Sequence, residues 1–194
     1  MTRPLLPVLL LAATLGCLGL KTSPSVLFHT LQPLQLEGPP PAPSGLAVEI
    51  LPVRLPELLQ RPQLVLAEGP GGMGLSDTHR WGNPLDQDMQ RVLVQNLGLL
   101  LGSEAVVASP YGERVAAGYR VELEVRSCQA RDGALLLDAV WMVTRPGQSR
   151  ALLVRPSLLR EALPDSSPDA LAAAHSRIMA DLSREIAAAL LRRP

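Results

Sequence analysis

LPVRLPELLQRPQLVLAEGPGGMGLSDTHRWGNPLDQDMQRVLVQNLGLLLG, residues Leu51 to Gly102, decides the fold of this chain. Its second half predicts a long amphipathic helix. Asn83 suits an N-cap, Pro84 suits the first helical position, and Asp86 and Asp88 fall where the positive end of the helix dipole favours carboxylates. Leu85, Met89, Val92, Leu93, Leu97 and Leu100 then recur on one stripe, and Gly102 supplies the stop. Such a helix must bury its stripe, and the strands around it offer the surface. Asn96 lies at the edge of the stripe, where it is expected to satisfy itself at the boundary with solvent.

The first half of the stretch prepares that helix. Pro56 opens a short helical turn that ends at Arg61-Pro62, because the residue before a proline is pushed out of helical geometry. Gln63 to Glu68 (QLVLAE) is a strand. Gly69-Pro70-Gly71-Gly72-Met73-Gly74 then matches GxGxxG in form. A dinucleotide loop needs its last glycine to open a helix facing the pyrophosphate, and here the helix waits until after Asn83. The hexapeptide therefore reads as a flexible hairpin connection to a short strand around Leu75. Ser76, Asp77 and His79 carry the residue types of a hydrolase triad, but a triad is gathered from separated segments, and the chain holds no GxSxG elbow.

Outward from this stretch the pattern is strand, helix, strand, helix. Ser25 to Leu31 and Leu46 to Leu55 read as strands, the second broken or bulged at Pro52, with a proline-rich spacer from Gln35 to Gly45 between them. After the helix, Ala105 to Ser109 is a short strand. From Tyr119 to Ser127 apolar Tyr119, Val121, Leu123 and Val125 alternate with charged Arg120, Glu122, Glu124 and Arg126, the signature of a sheet with one wet face. Asp132-Gly133 predicts a hairpin turn into Ala134 to Arg145, and Pro146-Gly147 a turn into Ser149 to Val154. A closing helix starts at Ser166-Ser167-Pro168-Asp169, with Leu171, Ala174, Ile178, Leu182, Ile186 and Leu190 as its stripe and Arg192 and Arg193 at its negative end; His175 sits beside the stripe as a boundary residue. The fold class is α+β: a two-layer sandwich with a mixed, largely antiparallel sheet and two long helices on one face.

Composition narrows the function. The 194 residues are 47% hydrophobic but only 3% aromatic, so the core is built from Leu, Val and Ala and offers no stacking platform for bases or sugars. Eighteen basic and eighteen acidic residues are interspersed to a net charge of +0, which leaves no footprint for nucleic acid. At the N-terminus Arg3 precedes an apolar run from Leu5 to Ala13, too short to cross a hydrocarbon core of about 30 Å. Leu15-Gly16-Cys17 follows at cleavage distance. Residues 1–16 thus read as a lipoprotein signal peptide, Cys17 as the lipidated new N-terminus, residues 17–24 as a tether and residues 25–194 as one periplasmic domain. Cys128 is then left without a disulfide partner and reads as a structural cysteine.

A resemblance joins these pieces. The lipobox, Phe28-His29-Thr30-Leu31, Arg61-Pro62-Gln63-Leu64-Val65, Arg80-Trp81-Gly82-Asn83-Pro84-Leu85, Arg91-Val92-Leu93-Val94-Gln95-Asn96-Leu97 and Leu182-Ser183-Arg184-Glu185-Ile186-Ala187 together resemble the PqiC (YmbA) group of ABC-type transport auxiliary lipoproteins. The proline insert, the glycine-rich loop and Phe28-His29, where the family often has tyrosines, depart from its pattern. The resemblance implies an outer-membrane lipoprotein facing the periplasm that works in lipid traffic with an MCE-domain membrane protein and its ABC permease and ATPase. It also implies ring-shaped homo-oligomers and no catalysis.

The expected function is a non-catalytic docking component without cofactors. A lipid-binding carrier and a hydrolase resting on Ser76 and His79 are the alternatives. His29, His79 and His175 lie far apart without metal-ligand spacing, so no metal is assigned. Candidate functional residues are Cys17 for lipidation and Arg61, Arg80 and Trp81 for partner binding; for the last two the competing reading is structural, the Trp81 ring covering the seam at the helix entry while Arg80 meets a carboxylate.

Overall fold

The computed structural model describes residues 25–69 and 71–192. The signal peptide, Cys17, the tether and Arg193 fall outside the described residues. In order, the elements are β1 (Leu27–His29), β2 (Val48–Ile50), β3 (Gln63–Glu68), β4 (Gly72–Trp81), α1 (Leu85–Leu101), β5 (Val106–Ala108), β6 (Tyr119–Arg131), β7 (Ala134–Thr144), β8 (Leu153–Ala162) and α2 (Pro168–Leu191). Two short 3₁₀ turns, Glu57–Gln60 and Tyr111–Val115, interrupt the loops. The α+β class is as expected, but the strands divide into two sheets: a three-stranded sheet in the order β1-β4-β3 and a five-stranded sheet in the order β5-β2-β6-β7-β8.

The larger sheet is antiparallel through β6, β7 and β8 and parallel where β2 joins β5 and β6. Val121, Leu123 and Val125 of β6 are buried, and β7 buries Leu135, Leu137, Ala139, Trp141 and Val143 on the same period of two. Asp132 and Gly133 both take positive φ, 49° and 68°, as a two-residue hairpin turn requires. The third strand of this meander is displaced from its expected place at Ser149 to Val154: β8 begins at Leu153 and runs to Ala162. Its register on β7, from Val143↔Leu153 to Ala134↔Ala162, absorbs Pro156, which an edge strand tolerates because one row of its N–H groups has no ladder to join.

The two helices pack on each other and on the larger sheet, and one continuous apolar core runs between the layers. All six stripe residues expected of α2 are buried. Ser167 caps that helix, its Oγ accepting from the Ala170 N–H at 3.1 Å, with Pro168 in the first turn. At the start of α1 the sequence expectation fails: the cap position is Pro84, in extended geometry, and no side chain caps the helix. Its C-terminus follows the expected pattern, with Gly102 left-handed at φ 54° and its N–H on the last carbonyls.

The smaller sheet differs most from expectation. Gly69 and Gly71 take φ of 62° and 80°, so the glycine-rich segment spends its conformational freedom on a hairpin turn. The strand that leaves it is not a short piece around Leu75. It runs ten residues and includes His79, Arg80 and Trp81, which therefore end a strand instead of opening a helix. Gln63 pairs with Arg80 while Val65 pairs with Leu75, so Ser76 to His79 bulge from the ladder. β1 lies parallel on the far side of β4, with Leu27 opposite His79 and His29 opposite Trp81.

Candidate functional site

Two polar constructions surround the end of β4, and both use residues far apart in the chain. The first fixes the segment that leaves β1. The Leu31 N–H donates to Asp88 Oδ2 at 2.6 Å, and the Leu31 carbonyl accepts from Arg91 Nη2 at 2.6 Å. Arg91 also binds Asp88 Oδ1 through Nε at 2.8 Å. Gln32 N–H then donates to Ser176 Oγ and Leu34 N–H to Asn96 Oδ1, while Asn96 Nδ2 donates to Ser183 Oγ at 3.1 Å. The segment is laid along both helices and held by its own backbone groups. Asp88 is only 2% exposed, so its carboxylate belongs to this clamp more than to the dipole of α1. Asn96 is fully buried and bridges the helices, in place of the boundary position expected of it.

The second construction lies where β1 and β4 meet the first turns of α2. On parallel strands in this register, His29, His79 and Trp81 share the face that looks toward α2. Trp81 is 6% exposed and meets His175 edge-on at 5.2 Å between ring centroids. His175 is buried, and its Nδ1–H donates to the Leu171 carbonyl at 2.9 Å. Burial lowers its pKa to about 4, the backbone bond opposing, so the ring is neutral in the folded protein. Cys128 borders the same seam, its thiol pushed up to about 12 by burial and therefore inert. The enclosed space left among these side chains is about 10 Å³, on the scale of a single water.

At the mouth of the seam, His29 Nε2 lies 2.8 Å from His79 Nδ1, and His29 Nδ1 lies 3.6 Å from Asp169 Oδ1. Burial lowers the His29 pKa, with Asp169 pulling it up and His79 pulling it down. The long separation of these histidines in the chain does not carry into space: parallel pairing of β1 and β4 joins them. No spacing rule could have found the pair, because it depends on which strand neighbours which.

The residues singled out from sequence scatter around this region. Arg61 is exposed just after the first 3₁₀ turn. Arg80 is half-buried, and its Nε is buried with no hydrogen-bond partner among the described residues, so the carboxylate expected beside it is not there. The Trp81 indole lies in the core. Ser76 and His79 do touch, but through the His79 backbone N–H, which donates to Ser76 Oγ at 3.0 Å, while His79 Nδ1 is turned to His29.

Residues 29–187 match the family described as the ABC-type transport auxiliary lipoprotein component. The chain belongs to this family. The match begins at His29, the last residue of β1, and runs through the remaining strands and α1 to Ala187 in α2, so the helix-clamped segment and the histidine cluster both lie within the family's region. Among solved structures, the auxiliary-lipoprotein fold seen here is similar to that of an uncharacterized protein at 22% identity, with a TM-score of 0.70 and coverage of 86% of this chain and 99% of that one. It is similar also to a protein from Xanthomonas campestris at 13% identity, with a TM-score of 0.66 and coverage of 86% and 94%. At these identities the likeness is one of fold. No curated protein matches the sequence.

Proposed function

We propose that this auxiliary lipoprotein is anchored through Cys17 to the periplasmic face of the outer membrane and acts without catalysis, docking an MCE-domain membrane protein that works with an ABC permease and ATPase. The family match over residues 29–187 carries the reading. The Leu15-Gly16-Cys17 ending of the N-terminal apolar run supports the anchor. The clamp on Leu31 to Leu34 supports it mechanically. An anchored component transmits position only if the chain leaving the anchor is fixed to the body, and here the first residues after β1 are hydrogen-bonded to both helices. Arg61 is the candidate contact for the partner, with Trp81 supporting that surface from beneath. The docked form is a ring of identical copies.

The test is capture from detergent-solubilised envelopes with the full chain as bait. An MCE-domain protein and its ABC subunits are expected in the eluate, and a Cys17→Ala chain is expected to leave the membrane fraction. Capture of no such partner, or membrane retention of Cys17→Ala, overturns the reading.

One observation favours a second reading, that of a lipid carrier. The proline segment Pro40 to Pro43 and the C-terminal half of α1 border an open, mainly apolar groove of about 850 Å³, lined also by Val94, Leu99 and Val106. Native mass spectrometry that finds a lipid retained by the full chain, and released by Leu99→Glu, would establish the carrier. A lipid-free spectrum removes it.

A further inference from the structure

We propose that His29, His79 and Asp169 form a binding site for a zinc-like divalent cation that clips β1 to β4 and α2. The three residues come from three separate segments, and one ligand atom from each lies within 4.8 Å of the others. The two imidazoles meet nitrogen to nitrogen, with ring centroids 5.1 Å apart and planes inclined by only 22°. At an N···N distance of 2.8 Å this is a head-to-head arrangement, in which one ring nitrogen donates its proton to the lone pair of the other, and loss of that proton leaves two lone pairs facing each other. Two imidazole nitrogens with a carboxylate in reach are a donor set that zinc selects: nitrogen ligands at about 2.0–2.1 Å and a carboxylate oxygen at about 2.0–2.2 Å.

The adjustment required is local to the two rings. Tetrahedral bonds of that length separate two ligand nitrogens by about 3.3 Å, so the rings must part by about half an ångström and each must turn by about 35° for its lone pair to meet the other at the metal once the shared proton has left. Asp169 stands beside the other nitrogen of His29, Nδ1, at 3.6 Å, too long for a hydrogen bond that would hold it, and with its side chain 80% exposed it is free to swing to the Nε2 side and close the site. That exposure also leaves a fourth position to water, an open site of the kind zinc keeps when it has three protein ligands. Arg80, the adjacent cation on β4, alternates to the other face of the strand. The bulge at Ser76 to His79 turns His79 toward His29, and the Ser76 Oγ bond to the His79 N–H fixes that turn. Such a clip has something to hold: β1 is three residues long and, among the described residues, pairs with β4 alone.

The inference stands apart from the transport reading and is tested without it. The untagged full chain, purified in detergent and stripped with chelator, is titrated with Zn²⁺ by calorimetry and with Co²⁺ by visible absorption. One equivalent is expected to bind, with the intense bands of tetrahedral cobalt, and added Zn²⁺ is expected to raise the melting temperature by mass action. His29→Gln with His79→Gln should abolish both signals. Asp169→Asn, at an exposed position that leaves the fold intact, should weaken Zn²⁺ roughly tenfold or more. Octahedral cobalt spectra, or the same affinity in the double-histidine variant, would show metal bound elsewhere. Affinity unchanged in Asp169→Asn would remove the carboxylate, and with it the three-ligand site.

Discussion

The two sheets are built on opposite principles. In the five-stranded sheet, β6, β7 and β8 follow one another in sequence, and β6 and β7, joined by a two-residue turn, bury alternate residues in the core shared with the helices. In the three-stranded sheet, β1 and β4 pair in parallel across fifty residues, the ladder to β3 is bulged, and Phe28, Met73 and Leu75 are left exposed. The first is held by apolar area and local turns. The second is held by polar contacts, two of which reach across the chain, the Asp88 and Arg91 clamp and the His29 and His79 pair, and one of which, the Ser76 bond, is local to the bulge. A sheet of the first kind is stable wherever its sequence pattern is satisfied, whereas one of the second kind can be loosened by changing a single polar atom.

The largest effect expected from this contrast lies in the larger sheet. Trp141 is 1% exposed, and its indole N–H donates to Ser157 Oγ at 2.9 Å, with that hydroxyl held in turn by Glu185 of α2. Trp141→Ala should destabilise the protein by about 3–5 kcal/mol in chemical denaturation, through a cavity between sheet and helix. A loss under about 1 kcal/mol would mean that the larger sheet does not carry the stability.

The seam between the small sheet and α2 should respond to acid. His175 is held neutral with a pKa of about 4, below the ordinary 6.5, so the unfolded chain binds a proton that the folded chain refuses. Stability from this group is therefore fully present above pH 6.5 and falls as pH drops toward 4, by on the order of 3 kcal/mol across the window. Denaturation midpoints measured at several pH values should show that slope, and His175→Leu should flatten it. A slope that survives the substitution would assign the acid sensitivity to other groups.

Asp88→Ala tests the clamp itself. It strands the buried Leu31 N–H and frees Arg91, for an expected cost of about 2 kcal/mol. Hydrogen exchange should accelerate at residues 27–34 well before it does in β6 and β7. Uniform acceleration would show that the two sheets open as one unit.

The same contrast explains what could be read from the sequence. Period-two alternation in β6, the Asp132-Gly133 turn, both helical stripes and the Ser167 cap are local signals, and each lies where its pattern places it. The division into two sheets, the length of β4 and the burial of Asp88 and Asn96 depend on partners fifty or more residues away. An aspartate in the first turn of a helix looks the same in sequence whether it serves the dipole or a distant backbone N–H. Likewise, His29 and His79 carry no common spacing signal, because parallel pairing of β1 with β4 sets their distance. Of the candidate residues, Trp81 was legible as a seam residue from its place before Gly82-Asn83-Pro84, whereas the lack of a carboxylate beside Arg80 among the described residues could be seen only in three dimensions.

The smallest expected change in stability belongs to the residue on which the docking reading leans. Arg61 is exposed beyond the first 3₁₀ turn, and the hydrogen bonds that hold its neighbourhood are made by others: Pro62 accepts from the Trp81 N–H at 2.7 Å, and Gln60 Nε2 donates to the Leu55 carbonyl at 2.8 Å. Arg61→Glu should therefore leave the denaturation midpoint within about 0.5 kcal/mol of the parent. It also reverses a charge on the proposed docking surface, so capture of the MCE-domain partner should fall and should do so more steeply at low salt. Trp81→Ala is the matching control, because an indole in the core must cost stability whatever it does for the partner. Loss of capture in Arg61→Glu at full stability separates a surface that binds from a seam that merely supports it. Equal capture by Arg61→Glu and the parent chain would move the docking surface away from the end of β4, to the proline groove or the outer edge of β8, where Val154 and Leu158 stand exposed.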